Sequence, residues 1–162
     1  AEISPQTVVI AANKDVSAIY VILVTLKTPD CDKNNIALLS KLIDQRMVFA
    51  LQYEDTVQLA VYRSERVLIS ERKLLANWTL NLTGLDFGAV WENIIAQIGG
   101  IDLSGGKDLD ETIAANVRRD KLNKQINALE KKAMSERQPR RKWELADDIK
   151  KLKAKLEELS NG

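Results

Sequence analysis

Hydrophobic positions in the last third of the chain recur at helical spacing. Leu145, Ile149, Leu152, Leu156 and Leu159 lie four, three, four and three residues apart, the a/d stripe of a helical seam. Upstream, Leu109, Ile113 and Val117 are four apart, and Leu122, Ile126, Leu129 and Ala133 follow at four, three and four. The step of five from Val117 to Leu122 breaks heptad phase, so this first seam drifts and its two halves are expected to face different partners. Pro139 separates the two runs. Proline cannot continue a helix from its interior but suits the first turn of the next one. The pattern predicts a helix to about Arg137, a short turn, and a second helix from about Pro139. One long helix kinked at Pro139 is the competing reading.

The first hundred residues are patterned differently. Apolar runs over Thr7–Ala12 and Ile19–Lys27 predict strands, and the near-continuous second run predicts a central strand covered on both faces. Ile36, Leu38, Leu39, Leu42 and Ile43 predict an amphipathic helix over Lys33–Ile43, with Asp32 as its N-cap. Met47–Tyr53 and Val57–Arg63 predict a hairpin, with Val57, Leu59 and Val61 on one face. Val67–Ile69 is expected at an edge. Alternation of Trp78, Leu80 and Leu82 predicts a strand over Thr79–Leu82. Asp86 is the expected cap of a helix carrying Val90, Trp91, Ile94, Ile95 and Ile98, which Gly99-Gly100 ends. Ser104-Gly105-Gly106 reads as a flexible loop.

The expected fold is α+β: a mostly antiparallel sheet with packed helices and a C-terminal antiparallel helical hairpin. Residues 1–106 would form the body and 107–162 the charged hairpin. The early part of the hairpin's first helix is expected to pack on the body, and the part beyond Leu122 to extend from it.

Charge sharpens this division. The chain of 162 residues carries a formal net charge of +1. Residues 110–159 hold 14 Lys/Arg and 10 Asp/Glu, a net of +4, and the rest holds 10 and 13, a net of −3. That asymmetry is too mild for the basic footprint of a strong nucleic-acid binder. The longest strongly apolar run, Ile19–Leu26, is too short to cross a bilayer, so no membrane association is expected. A lone Cys31 forms no internal disulfide, which fits a cytoplasmic setting.

Candidate chemistry is sparse. The chain has no His, so Ser-His-Asp and Cys-His arrangements cannot form. It has no glycine-rich phosphate loop ending in Lys-Ser/Thr, and no cofactor is expected. Asp15, Asp30 and Asp32 read as turn and capping residues, not as metal ligands. Acidic neighbours disfavour a thiolate at Cys31. A metal-dependent nuclease would place an acid-x-Lys triplet on a strand. Here Thr25 stands where the acid would be, ahead of Lys27, with Asp15 as an earlier acid, so at most a degenerate nuclease fold is readable.

Two surfaces remain. The stripe of Ile149, Leu152, Leu156 and Leu159 is a candidate for self-association or a protein partner. Arg137, Arg140, Arg141 and Lys142 at the hairpin tip are candidates for phosphate contact, with Arg118, Arg119, Lys121 and Lys124 as a second basic patch. Trp143 would stack on a base or anchor a protein if exposed, and is expected instead to pack back onto the first helix.

The order of features also resembles a known family. Thr25-Leu26-Lys27 closes a strand. The hairpin Phe49-Ala-Leu-Gln-Tyr to Gln58-Leu-Ala-Val-Tyr62 follows, then Trp78, Leu82-Thr-Gly-Leu85, Val90-Trp-Glu-Asn-Ile94 and a Lys/Glu-rich helical pair. Over nearly its whole length the chain resembles the bacterial and archaeal domain of unknown function family 4391. The resemblance implies a C-terminal portion of a longer protein and an accessory role in a restriction-like DNA defence system. It supplies no catalytic residues. The sequence therefore points to a non-catalytic interaction module, with a nucleic-acid-binding accessory subunit and a degenerate nuclease as alternatives.

Overall fold

The computed structural model describes residues 1–103 and 108–161; the expected Ser104-Gly105-Gly106 loop lies outside the described residues. The chain divides into two compact units, Ala1–Leu109 and Asp110–Gly162.

The first unit is built on a six-stranded sheet. Its strands are β1 (Glu2–Ile3), β2 (Ile19–Thr25), β3 (Arg46–Tyr53), β4 (Thr56–Arg63), β5 (Arg66–Ile69) and β6 (Lys73–Leu74). The order is β1-β2-β3-β4-β5, with β6 also on β4. β2 and β3 are parallel and every other pair is antiparallel. A parallel pair needs a crossover, and α1 (Lys33–Leu42) supplies it. The Asp32 carboxylate caps α1, accepting from the Asn34 N–H at 2.9 Å.

Alternation along the strands sends side chains to two covered faces. Met47, Phe49, Leu51 and Ala60 pack with Ile36 of α1 on one face. Val48, Val57, Leu59 and Val61 belong to the other face and are buried. On that side lies α2 (Phe87–Gly99), whose Phe87, Val90, Ile94, Ile95 and Ile98 are all buried. Asp86 caps α2 by accepting from the Ala89 N–H at 2.9 Å, and Gly100 ends it in the left-handed region at φ 61°.

Three expectations are corrected. β2 is not central: β1 covers only its first residues, and α2 packs over β4 and β5 beyond β3, which leaves Leu23 61% exposed. Thr7–Ala12 is not a strand. The Thr7 hydroxyl accepts from the Ser4 N–H and donates to the Ser4 carbonyl, a local turn that competes with extended pairing. Only Ala11 bridges, to Asp86. Thr79–Leu82 is also not a strand. Side-chain amides of α2 hold it in place of a sheet neighbour: Gln97 accepts from the Asn81 N–H at 3.0 Å and donates to the Asn81 carbonyl at 2.8 Å. Asn93 donates to the Thr83 carbonyl at 2.7 Å. The Trp78 indole N–H donates to the Val57 carbonyl at 2.8 Å, which anchors the start of this strap.

The second unit contains α4 (Pro139–Asn161) and all but the first residue of α3 (Leu109–Ser135). Glu130 of α3 and Lys153 of α4 form an ion pair at 2.8 Å. In one continuous helix those residues would stand roughly 35 Å apart, so the chain folds back and the kinked-helix alternative fails. The turn is built by Glu136, whose carboxylate accepts from the N–H groups of Arg137 and Gln138, each at 2.9 Å. These bonds, Gln138 first, hold its carboxyl below the usual range, with Arg141 and Lys132 adding to the effect. Pro139 then stands at the first helical position, where its missing N–H costs nothing.

Candidate functional site

The α4 stripe faces α3 but is not sealed by it. Leu145, Ile149, Leu152 and Leu156 are half-buried, and Leu159 is 39% exposed. Between the helices runs an open groove of about 510 Å³, lined by Gln125, Ala128, Leu129, Asp148, Lys151, Leu152 and Lys155. Two helices with narrow stripes can cover only the sides of those stripes that face each other. The remainder forms the groove floor, and both charge signs stand on its rim. Asp147 and Lys151 pair at 2.7 Å one turn apart, and this bond holds the Lys151 ammonium above its ordinary pKa.

At the tip, Arg137, Arg140, Arg141 and Lys142 are all exposed. Arg140 approaches Glu144 at 3.5 Å, an open (i, i+4) pair, so the basic cluster is partly offset by acids. Trp143 does not pack back onto α3. It is 80% exposed, and Met134 at the end of α3 is 83% exposed. The tip turn is too short to fold an indole over itself, and Trp143 falls outside the Leu145–Leu156 stripe. Arg118, Arg119, Lys121 and Lys124 are likewise exposed on α3.

The degenerate nuclease reading needs acidic side chains clustered around Lys27, and Asp15 and Glu54 are the acids whose positions test it. Asp15 precedes β2 and Lys27 follows it, so a strand of about 20 Å separates them. Glu54 stands in the β3–β4 turn, at the Lys27 end of the parallel pair. Among the described residues no group of three or more His, Cys, Asp or Glu side chains could hold a metal ion. Cys31 is half-buried, and burial first, then Asp32, pushes its thiol pKa up.

A further site escaped the sequence reading. In the first unit a cavity of about 460 Å³ is lined by Asn13, Asp15, Val16, Arg46, Arg63, Gly88, Ala89, Trp91 and Glu92. The Ala11–Asp86 bridge brings the N-terminal segment to the start of α2, where Asn13 donates to the Asp86 carboxylate at 2.8 Å. Arg46 and Arg63 lie two residues beyond the last β3–β4 pair, Val48 and Val61, and both line the cavity. That signal was available: the two arginines lie equally far from the Glu54-Asp55 turn.

No curated protein and no solved structure matches the chain. The chain belongs to the family described as Domain of unknown function (DUF4391), whose profile matches residues 1–156.

Proposed function

We propose that the chain is a non-catalytic interaction module whose α3–α4 hairpin associates with the hairpin of a second copy. The observation that carries this reading is the open groove between the helices, floored by Leu129 and Leu152. A two-helix layer leaves its seam partly wet, and a second layer completes a four-helix bundle. The rim favours a second copy as the occupant. Asp148 stands beside Lys151 and Lys155, and in a two-fold interface each residue i meets j while j meets i. A rim carrying both signs can therefore pair with itself. The test is solution mass across a wide concentration range. A concentration-dependent dimer supports the reading, and a monomer at every concentration overturns it.

A second reading rests on the tip. An indole that is 80% exposed sits beside Arg140, Arg141 and Lys142, a combination suited to stacking on a base while cations meet phosphates. This would make the chain a nucleic-acid-binding accessory subunit, in keeping with a role beside a restriction-like DNA defence system. Its mark is single-strand binding that falls steeply with salt and drops on Trp143→Ala. Absence of binding at low salt disposes of it.

A further inference from the structure

The rim of the α3–α4 groove is charged on one side and neutral on the other. Asp148, Lys151 and Lys155 line it from α4, whereas Gln125 and Ala128 line it from α3. At about 100° per residue, Asp148 and Lys155 lie together on one flank of Leu152, two turns and roughly 10 Å apart. Lys153 lies on the other flank and is taken by Glu130 at 2.8 Å. Lys151 is taken by Asp147 at 2.7 Å. Asp148 and Lys155 are exposed and belong to none of the ion pairs among the described residues.

A second hairpin laid over this groove can be related to the first by a two-fold axis in two ways. An axis along the helices makes the copies parallel and sets α4 over the partner's α3. The charged flank of α4 then faces the neutral flank of Gln125 and Ala128, and Asp148 and Lys155 stay unmatched. An axis across the helices makes the copies antiparallel and sets α4 over α4. Centred between Lys151 and Leu152, that axis brings Asp148 level with the partner's Lys155, and Lys155 level with the partner's Asp148. The two Lys151 ammonium groups approach the axis, but each is already balanced by Asp147. The basic tips favour the same choice. In the parallel arrangement Arg137, Arg140, Arg141 and Lys142 of both copies share one end. The antiparallel arrangement separates Gln138, at the start of α4, from its twin by about 40 Å. That is several times the screening length of ~8 Å at physiological salt.

Building on the self-association proposed above, on which this rests, we propose that two copies pair antiparallel through α4. Asp148 and Lys155 form the reciprocal pair that sets the orientation and the choice of partner. Exposed ion pairs add little affinity, but like charges set opposite one another reject a wrong arrangement.

Sedimentation equilibrium at low salt, comparing the parent with Asp148→Lys, Lys155→Asp and the double swap, tests this. In the antiparallel dimer each single swap sets like charges opposite one another at two equivalent places, so Kd should rise about tenfold. The double swap restores both pairs and should return Kd to within about threefold of the parent. An equal mixture of the two single variants should form mainly the mixed dimer. These differences should shrink at high salt. A nitroxide on Gln138→Cys in a Cys31→Ser background reads the orientation directly. Antiparallel pairing places the two labels about 40 Å apart, and parallel pairing places them within roughly 20 Å. A parent dimer with the short distance overturns the proposal and leaves self-association standing. A double swap that dimerises no more tightly than the single ones does the same. A parent that never dimerises removes both readings. Where a single swap melts the helices, seen by circular dichroism, the nitroxide distance decides.

Discussion

Replacing Leu152 with glutamate separates an interaction hairpin from a self-sufficient one. Leu152 is half-buried within its own hairpin and lines the groove between α3 and α4. Fully burying a leucine contributes about 1.5–3 kcal/mol, and α3 already supplies most of that. Completion by a second copy adds a further ~0.5–1 kcal/mol. Glutamate forfeits this gain and places a carboxylate against the partner's leucines, at a cost of about 1–3 kcal/mol if it is not hydrogen-bonded. A two-fold interface counts each residue twice. The combined loss is therefore at least ~3 kcal/mol, and the dimer Kd should rise at least about 150-fold. Sedimentation equilibrium measures this directly, with far-ultraviolet circular dichroism to verify that the helices persist. Ala154→Glu, on the exposed side of α4, is the control and should leave Kd within about twofold. Equal dissociation constants for Leu152→Glu and the parent would refute the reasoning, as would a parent that never dimerises.

Other predictions address the body. A Cβ on Gly84 would lie 2.6 Å from the Val90 amide nitrogen and 3.0 Å from the Ala89 carbonyl carbon. Backbone atoms of a helix cannot yield, so Gly84→Ala should destabilise the fold by about 2 kcal/mol or more in urea unfolding. Ser64 and Glu65 carry φ of 49° and 60° in the β4–β5 turn, a conformation that favours glycine. Glu65→Gly should therefore raise stability by roughly 0.5–1 kcal/mol in the same assay. The Ala89 N–H, then the Asn13 amide, hold the Asp86 carboxyl below its ordinary pKa. A depressed folded-state pKa means that the contribution is present above the unfolded-state value and lost as pH falls through the folded one. Acid should therefore remove this contribution as Asp86 becomes protonated, and Asp86→Asn should flatten the profile of stability against pH across that acid range in urea unfolding. Burial and Asp32 raise the Cys31 pKa, so alkylation by iodoacetamide near pH 8 should be slower than for a free cysteine.

Local signals in the sequence determined most of the architecture. Asp32 and Asp86 cap the helices they were expected to cap, because a capping carboxylate needs only the two or three residues that follow it. Pro139 marked the start of α4, and the 3.6-residue and two-residue periods marked α1, α2, β3 and β4. What failed were features decided by neighbours far away in the chain. Thr79–Leu82 has the alternation of a strand, but Gln97 and Asn93 hold its backbone. The composition of β2 suits a central strand, yet its place in the sheet depends on how long a partner β1 offers. Trp143 was expected to be covered, and whether α3 reaches it depends on the register of the helix pair.

The candidate surfaces divide in the same way. The α4 stripe and the basic tip are written as consecutive positions on single elements, and periodicity alone names their residues. The cavity of Asn13, Asp15, Arg46, Trp91 and Glu92 draws on a loop, a strand and a helix separated by dozens of residues. No one of these residues carries a motif. Sequence determines the faces that each helix and strand presents, since those follow from local geometry. Only the tertiary structure decides which polar groups those faces bring together and leave unpaired, because burial and hydrogen bonding depend on the whole packed chain.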